Sequence, residues 1–274
     1  MEAGLTAPAV SPDAYSSDYY LQACGGHEEW LASGGREGND IYAGALNLAQ
    51  LRAGEVVVDI GTGRGELLAV AVERGAARAV GVEYAAAGVE LARKTLAVRG
   101  VEERAEVVLA DARSIPLEDS VADLVTMLDV VEHLTPAELL GSLREAHRIL
   151  RPGGRVFIHT MPTSTLRRTY RFQRSLTPRR RRAWPPDPRN EFEIAMHVNE
   201  QTRGRLTRTL RAAGFRPDVR HGEWIYVDYV PPGEERARRL YPRLARFRLT
   251  RRFGVCNLIA TGTRPASPVR TGTT

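Results

Sequence analysis

Short apolar runs alternate with stretches of helical spacing through most of the chain. The first run, Val56-Val57-Val58, ends at Asp59, and glycines follow at 61, 63 and 65 before helix-forming residues 66–74. This pattern predicts a buried parallel strand that stops in a tight turn and passes the chain to a helix. Runs at 79–82, 105–110, 122–128 and 155–159 predict four more strands, with helices at 85–98 and 136–150 between them. The later helix carries clear start signals: Thr135 as N-cap, Pro136 at the first helical position and Glu138 at the capping-box place. Arg151-Pro152-Gly153-Gly154 ends it ahead of the fifth strand. Such alternation predicts an α/β fold with a doubly wound, mostly parallel sheet. Strands within 218–227 and 254–263, with a helix at 234–246 between them, complete a seven-stranded, Rossmann-like sheet as an antiparallel hairpin.

The flanks read differently. Residues 1–14 are rich in alanine, proline and serine without periodicity, and are expected to be disordered. Residues 17–33 are expected to form one helix capped by Asp18 and bearing Tyr19, Tyr20, Leu21 and Trp30. Those aromatics either cover a ligand as a lid or pack the helix on the sheet edge. An amphipathic helix at 41–51 (Ile41, Ala45, Leu48, Leu51) leads into the first strand. After the fifth strand the alternation fails. Residues 160–197 hold Pro162, Pro178, Pro185, Pro186 and Pro188, an arginine run at 179–182, and Tyr170, Phe172, Trp184 and Phe192. This reads as an insertion capping the active site. A helix at 199–213 follows, closed by Gly214 in the manner of a C-cap. The expected organisation is a tail and lid helix (1–40), a ligand-binding core (41–160), a cap insertion (161–198), the C-terminal half of the fold (199–263) and a disordered tail (264–274).

A length of 274 residues, 43% of them hydrophobic, fits one large domain with an appendage. No stretch approaches the ~20 consecutive apolar residues of a membrane span, and residues 1–17 lack the basic start and apolar centre of a secretory signal. Cys24 and Cys256 have no metal-ligand spacing, so a reduced, cytoplasmic setting is expected. The net charge of +6 is unevenly distributed. Residues 1–159 hold 14 basic and 24 acidic side chains, residues 160–274 hold 25 and nine, and lysine occurs once, at 94. Either an anionic partner or a general preference for arginine accounts for the basic half.

Chemistry enters at the strand ends. Gly61 and Gly63 remove side chains that would hold a ligand off the backbone. Glu83, some twenty residues on, suits hydrogen bonding to a ribose diol, and Asp111 stands where a carboxylate can accept from an adenine amine. Dinucleotide loops space their glycines as G-x-G-x-x-G, whereas this one is Gly61-x-Gly63-x-Gly65, with Asp59 before it. The set resembles the class I S-adenosylmethionine (SAM) dependent methyltransferases, whose first motif reads (V/L)-(L/V)-D-(I/V)-G-x-G-x-G. The resemblance spans roughly residues 40–160 and includes the Leu150–Gly154 turn. It implies SAM as cofactor and S-adenosylhomocysteine as product. Asp59, Gly61 and Gly63 are then expected at the methionine part, Glu83 at the ribose, and Asp111 and Ala112 at the adenine. Thr62, Tyr84 and Asp129 complete the expected cofactor set.

Asp129-Val130-Val131-Glu132-His133 follows the fourth strand and resembles the D-V-x-E-H segment of many small-molecule methyltransferases. His133 is the first candidate base, with Glu132 to orient it; alternatively the two make only turn and capping bonds. His159 and His197 are further candidates. No carboxylates and histidine are spaced along the chain for a metal, so metal-independent chemistry is expected. Residues 197–202, with Asp187-Pro188-Arg189 before them, resemble bacterial methyltransferases of glycan and glycosylated or polyketide metabolite pathways. The expected reaction is methylation of a small molecule at a hydroxyl. The insertion's arginines suggest an acceptor with phosphate, nucleotide-sugar or carboxylate groups. An RNA methyltransferase and a non-catalytic SAM-binding partner are the alternatives. Nucleic acid is disfavoured because no N/D-P-P-Y/F segment follows the fourth strand, no cysteine is placed there, and no known RNA-binding module is present. The oligomeric state is left unassigned.

Overall fold

A computed structural model describes residues 6–37, 40–161, 163–176, 185–187, 189–222 and 257–266. The arginine run at 179–182, the helix expected at 234–246 and the outer parts of the last two predicted strands fall outside the described residues.

Seven strands form one sheet: β1 (Val56–Ile60), β2 (Arg78–Glu83), β3 (Ala105–Leu109), β4 (Ala122–Leu128), β5 (Leu150–Thr160), β6 (Arg216–His221) and β7 (Leu258–Thr263), in the order β3-β2-β1-β4-β5-β7-β6. The first five run parallel, and β7 pairs antiparallel with both β5 and β6. Strand order reverses between β1 and β4, where a crevice opens at the carboxyl ends of an α/β sheet. Register there sets Asp59 opposite Thr126.

Both faces of the sheet are covered, which is why its strands read as near-continuous apolar runs. Side chains alternate between two cores. Val58, Ile60, Val125, Val156 and Ile158 pack with Leu139 and Leu143 of α6 (Pro136–Ile149) and with Leu206 and Leu210 of a later helix, Arg203–Ala212. Val57, Leu124 and Phe157 face the other way, toward α3 (Asp40–Leu48), α4 (Glu66–Glu73) and α5 (Ala86–Arg99), burying Leu46, Leu67, Leu68 and Leu96. The capping box of α6 is present in both halves, with Thr135 as its cap.

Several boundaries depart from expectation. The single helix expected over 17–33 is two helices, α1 (Ser17–Gln22) and α2 (His27–Ser33). Gly26, at φ 76°, separates them, and Ser16 rather than Asp18 caps the first. Residues 6–14, expected to be disordered, lie along the body: Ala9 N donates to Glu138 Oε1 at 2.9 Å, and Val10 and Thr6 carbonyls accept from Tyr84 and Arg113. β5 begins at Leu150, five residues early, because the Gly153-Gly154 turn pairs with Arg264. Arg264, assigned by sequence to the tail, instead donates to the carbonyls of His147, Arg148 and Leu150 at the end of α6. The insertion contains α7 (Thr163–Leu176) and α8 (Glu191–Met196). The next helix, α9 (Arg203–Ala212), starts four residues later than expected, at a Thr202 cap. Gly214, at φ 95°, closes it with Phe215 N bonded to the Leu210 carbonyl.

Candidate active site

One cavity of about 830 Å³ opens at the carboxyl edge between β1 and β4. All thirteen residues singled out from sequence line it, so they form two ends of a single space.

At one end the loop after β1 turns through three left-handed glycines, Gly61, Gly63 and Gly65, at φ 75°, 53° and 76°. A Cβ at Gly61 would stand 2.4 Å from Val130 Cγ2. The absent side chain at 61 therefore seats the loop after β4, rather than only making room for a ligand. A Cβ at Gly65 would meet Ala92 at 2.9 Å, so that glycine lets α5 approach.

Asp59 is buried and accepts from Thr126 Oγ1 at 2.6 Å, with Thr62 packed near it. Burial pushes its carboxyl up to about 7, against the opposing pull of those hydroxyls. Glu83, also buried, is heavily bonded. Its Oε2 accepts from Gly63 N (2.8 Å), and Oε1 from Tyr84 N (2.7 Å), Ala85 N (3.0 Å) and the Tyr20 hydroxyl (3.1 Å). Asp111 is gripped by Arg113 through backbone N, Nε and Nη2, which holds its carboxyl below the usual range despite partial burial. Ala112 lies beside it, and Tyr84 closes the wall with its hydroxyl on Val10 O at 2.9 Å.

At the other end, Asp129 takes a left-handed φ of 53°, a strained conformation for a residue other than glycine. Its Oδ1 lies 3.1 Å from His159 Nδ1, while Asn257 Nδ2 is 2.7 Å from His159 Nε2. An amide nitrogen can only donate, so His159 Nε2 accepts from Asn257. Glu132 is 3% exposed, and burial and the neighbouring Asp129 raise its carboxyl well above the usual range. His133 and His197 stack edge to face with ring centroids 4.9 Å apart. Burial lowers His133 to about 3 and His197 to about 4, leaving both imidazoles neutral at pH 7 with lone pairs to offer. A base this weak is poorly matched to proton removal at neutral pH. The loop carrying His197 is tied to the loop after β4 by Asn199 N donating to the Glu132 carbonyl at 3.0 Å.

Sequence reading passed over Arg64 and the specific role of the N-terminal tyrosines. Arg64, 3% exposed, bonds Glu66 Oε2 through Nε (2.9 Å), the Tyr20 carbonyl through Nη1 (2.5 Å) and the Gly25 carbonyl through Nη2 (2.6 Å). It thus fastens α1 to the glycine loop. Tyr15 reaches His133 Nδ1 at 3.1 Å. The one sequence signal was an arginine set between two glycines of a loop, a position where solvent exposure is the usual expectation. The insertion's Arg167 and Arg189 both pair with Asp187 and Glu200.

Comparison with known proteins places this geometry. A family model described as "Methyltransferase domain" matches residues 58–158. The chain is 33% identical over 119 residues to a demethylmenaquinone methyltransferase of Thermus thermophilus, covering 43% of this chain and 52% of that protein. It is 32% identical over 116 residues to a ubiquinone biosynthesis O-methyltransferase of Pseudomonas paraeruginosa, covering 40% and 45%. The match thus spans about half the length of these curated relatives. Among solved structures, geranyl diphosphate C-methyltransferase from Streptomyces coelicolor A3(2), in complex with Mg2+, geranyl diphosphate and S-adenosyl-L-homocysteine, aligns with TM-score 0.60 at 15% identity, covering 94% of this chain and 100% of that one. That likeness is one of fold, the seven-stranded, mostly parallel sheet described above. Residues 58–158 thus match a methyltransferase domain, and the sheet built on them has the fold of the SAM-dependent methyltransferase structures.

Proposed function

We propose that the chain binds SAM at the Glu83 end of the cavity and methylates a hydroxyl of a small molecule held at the Glu132–His133–His197 end. The observation that carries this reading is the continuity of the two ends: the Gly61–Gly63 loop and the Asp129 loop meet in one 830 Å³ space. That volume lies within the ~300–1,000 Å³ usual for small-molecule sites.

The buried carboxylate of Glu83 fits a ribose diol, since it lines the cavity and its Oε2 accepts from Gly63 N alone among the described residues, leaving that oxygen capacity for a further bond. Asp59 and the glycine loop border the methionine part, and Ala112, Tyr84 and Asp111 the adenine. SAM supplies an activated methyl group on a positively charged sulfur. The protein's share is then to position the acceptor, exclude water and handle the hydroxyl proton. Tyr15, Tyr19, Phe192 and Met161 give the acceptor end an aromatic and apolar wall, with Glu132 and Glu193 as its acids. Because Arg167 and Arg189 are already paired, the described wall favours a neutral, aromatic or polyketide-like acceptor over a phosphorylated one.

Calorimetry with SAM tests the cofactor half, for Glu83→Ala should lose most of its affinity. Unchanged affinity would refute the assignment. Turnover tests the acceptor half: His133→Ala should lower it with SAM affinity retained, and an unaffected rate would remove His133 from the chemistry.

A further inference from the structure

At the acceptor end, three donor side chains converge that lie far apart in sequence. Glu132 and His133 leave β4, while His197 follows α8, and one ligand atom from each lies within 4.8 Å of the others. We propose that Glu132, His133 and His197 bind a first-row divalent cation such as Mn2+, Fe2+ or Zn2+. Two imidazoles and a carboxylate on one side, with the opposite side open to a cavity, suit such an ion.

Four observations support the site. First, Glu132 Oε2 and His197 Nδ1 are buried without a hydrogen-bond partner among the described residues, although Thr160 lies close to the Glu132 carboxyl. A cluster kept only for packing would have paired them. Second, the acidic groups around Glu132 are Asp129 and Glu193, and the arginine that acts on His197, Arg189, is committed to Asp187 and Glu200. A buried carboxylate among acidic neighbours calls for a cation. Third, the His133 ring is held from behind. With Nδ1–H of His133 donating to the Tyr15 hydroxyl at 3.1 Å, Nε2 keeps its lone pair, the arrangement usual for a metal-bound histidine. Fourth, the Asn199–Glu132 backbone bond fixes the two donor loops to each other. Ligands on one side of a metal at ~2.1 Å stand about 3.0–3.4 Å apart, so donor atoms that lie within 4.8 Å of one another draw together on binding.

All three residues line the cavity, which leaves a coordination position for the acceptor. A cation there would lower the pKa of a bound hydroxyl. That catalytic role rests on the hydroxyl-acceptor reading above; the binding site itself does not. It also departs from the metal independence expected from spacing along the chain, which could not bring His197 to residues 132–133.

The test is Mn2+ binding to the full chain after EDTA treatment and dialysis, followed by electron paramagnetic resonance. One Mn2+ per chain should bind, with affinity at least ~10-fold weaker in His197→Ala and Glu132→Gln and unaltered in Glu83→Ala. Should His197→Ala fail to fold, His197→Gln, of closer volume, reads the same loss. Absence of stoichiometric binding, or equal affinity in the ligand variants, overturns the site. Stoichiometric binding with no methylation of any hydroxyl acceptor would overturn the acceptor reading and leave the site standing. Full methylation by cation-free protein would overturn the cation and leave that reading standing.

Discussion

The Tyr20 hydroxyl donates to Glu83 Oε1 at 3.1 Å, so the aromatic helix ahead of the sheet is bonded directly to the carboxylate that closes β2. Of the two roles left open by the sequence, packing is the one seen in this segment, which lies beside the cavity that a lid would cover. Tyr20 is 4% exposed and packs as a core residue, yet it borders the cavity. Tyr20→Phe should lower stability by about 1 kcal/mol and expose residues 6–37 to limited proteolysis. Cleavage rates equal to the parent protein's would show that this bond does not hold the segment.

Arg64→Ala should be far more damaging. Its partner Glu66 is 1% exposed, and the pair is 2.8 Å apart. Removing the guanidinium leaves a buried carboxylate unpaired and two carbonyls without donors, a loss of about 3–5 kcal/mol. Urea unfolding measures it directly.

Gly61 and Val130 should behave as a coupled pair. Gly61→Ala places a Cβ at φ 75° and 2.4 Å from Val130 Cγ2, combining backbone strain of about 1–2 kcal/mol with a clash. Val130→Ala in the same chain should recover the clash but not the strain. A double-mutant cycle should give a coupling of about 0.5–3 kcal/mol; additive effects would mean that the loops do not touch.

Asp59 gives a signed pH dependence. Its folded-state carboxyl is raised by burial to about 7 from the ordinary 3.8. The folded protein thus holds that proton more tightly than the unfolded chain. The resulting stabilisation is complete below pH 4 and is lost as pH rises through about 7, by a few kcal/mol at most. Asp59→Asn keeps an oxygen for Thr126 and should flatten this window, so stability at pH 5 and pH 8 should differ less than in the parent.

Most of the sheet was legible because its strands are apolar on both faces and its helices carry local signals, as at Thr135 and Gly214. The proposed cofactor end could be picked out for the same reason: Asp59, Gly61, Glu83 and Asp111 each sit where a strand stops. The acceptor end was less so. His197 lies 64 positions beyond His133, and only tertiary closure brings their rings to 4.9 Å. Residues 6–14 lack periodicity because their one element is a single 3-10 turn at Pro12–Ala14; the segment is further tied by single bonds to Glu138, Tyr84 and Arg113, which no local pattern announces. The break between α1 and α2 was written in Gly25-Gly26 but outweighed by the aromatic spacing on either side.

Those same single bonds have a kinetic consequence. Residues 6–20 touch both ends of the cavity, at Glu83 through Tyr20 and at His133 through Tyr15. If the proposed cofactor leaves past this segment, each departure breaks hydrogen bonds that the transfer step itself leaves intact. Release, rather than methyl transfer, should then limit the steady state. Rapid-quench measurements should show a first turnover faster than those that follow, and loosening the segment at Tyr20 should raise the later rate toward the first.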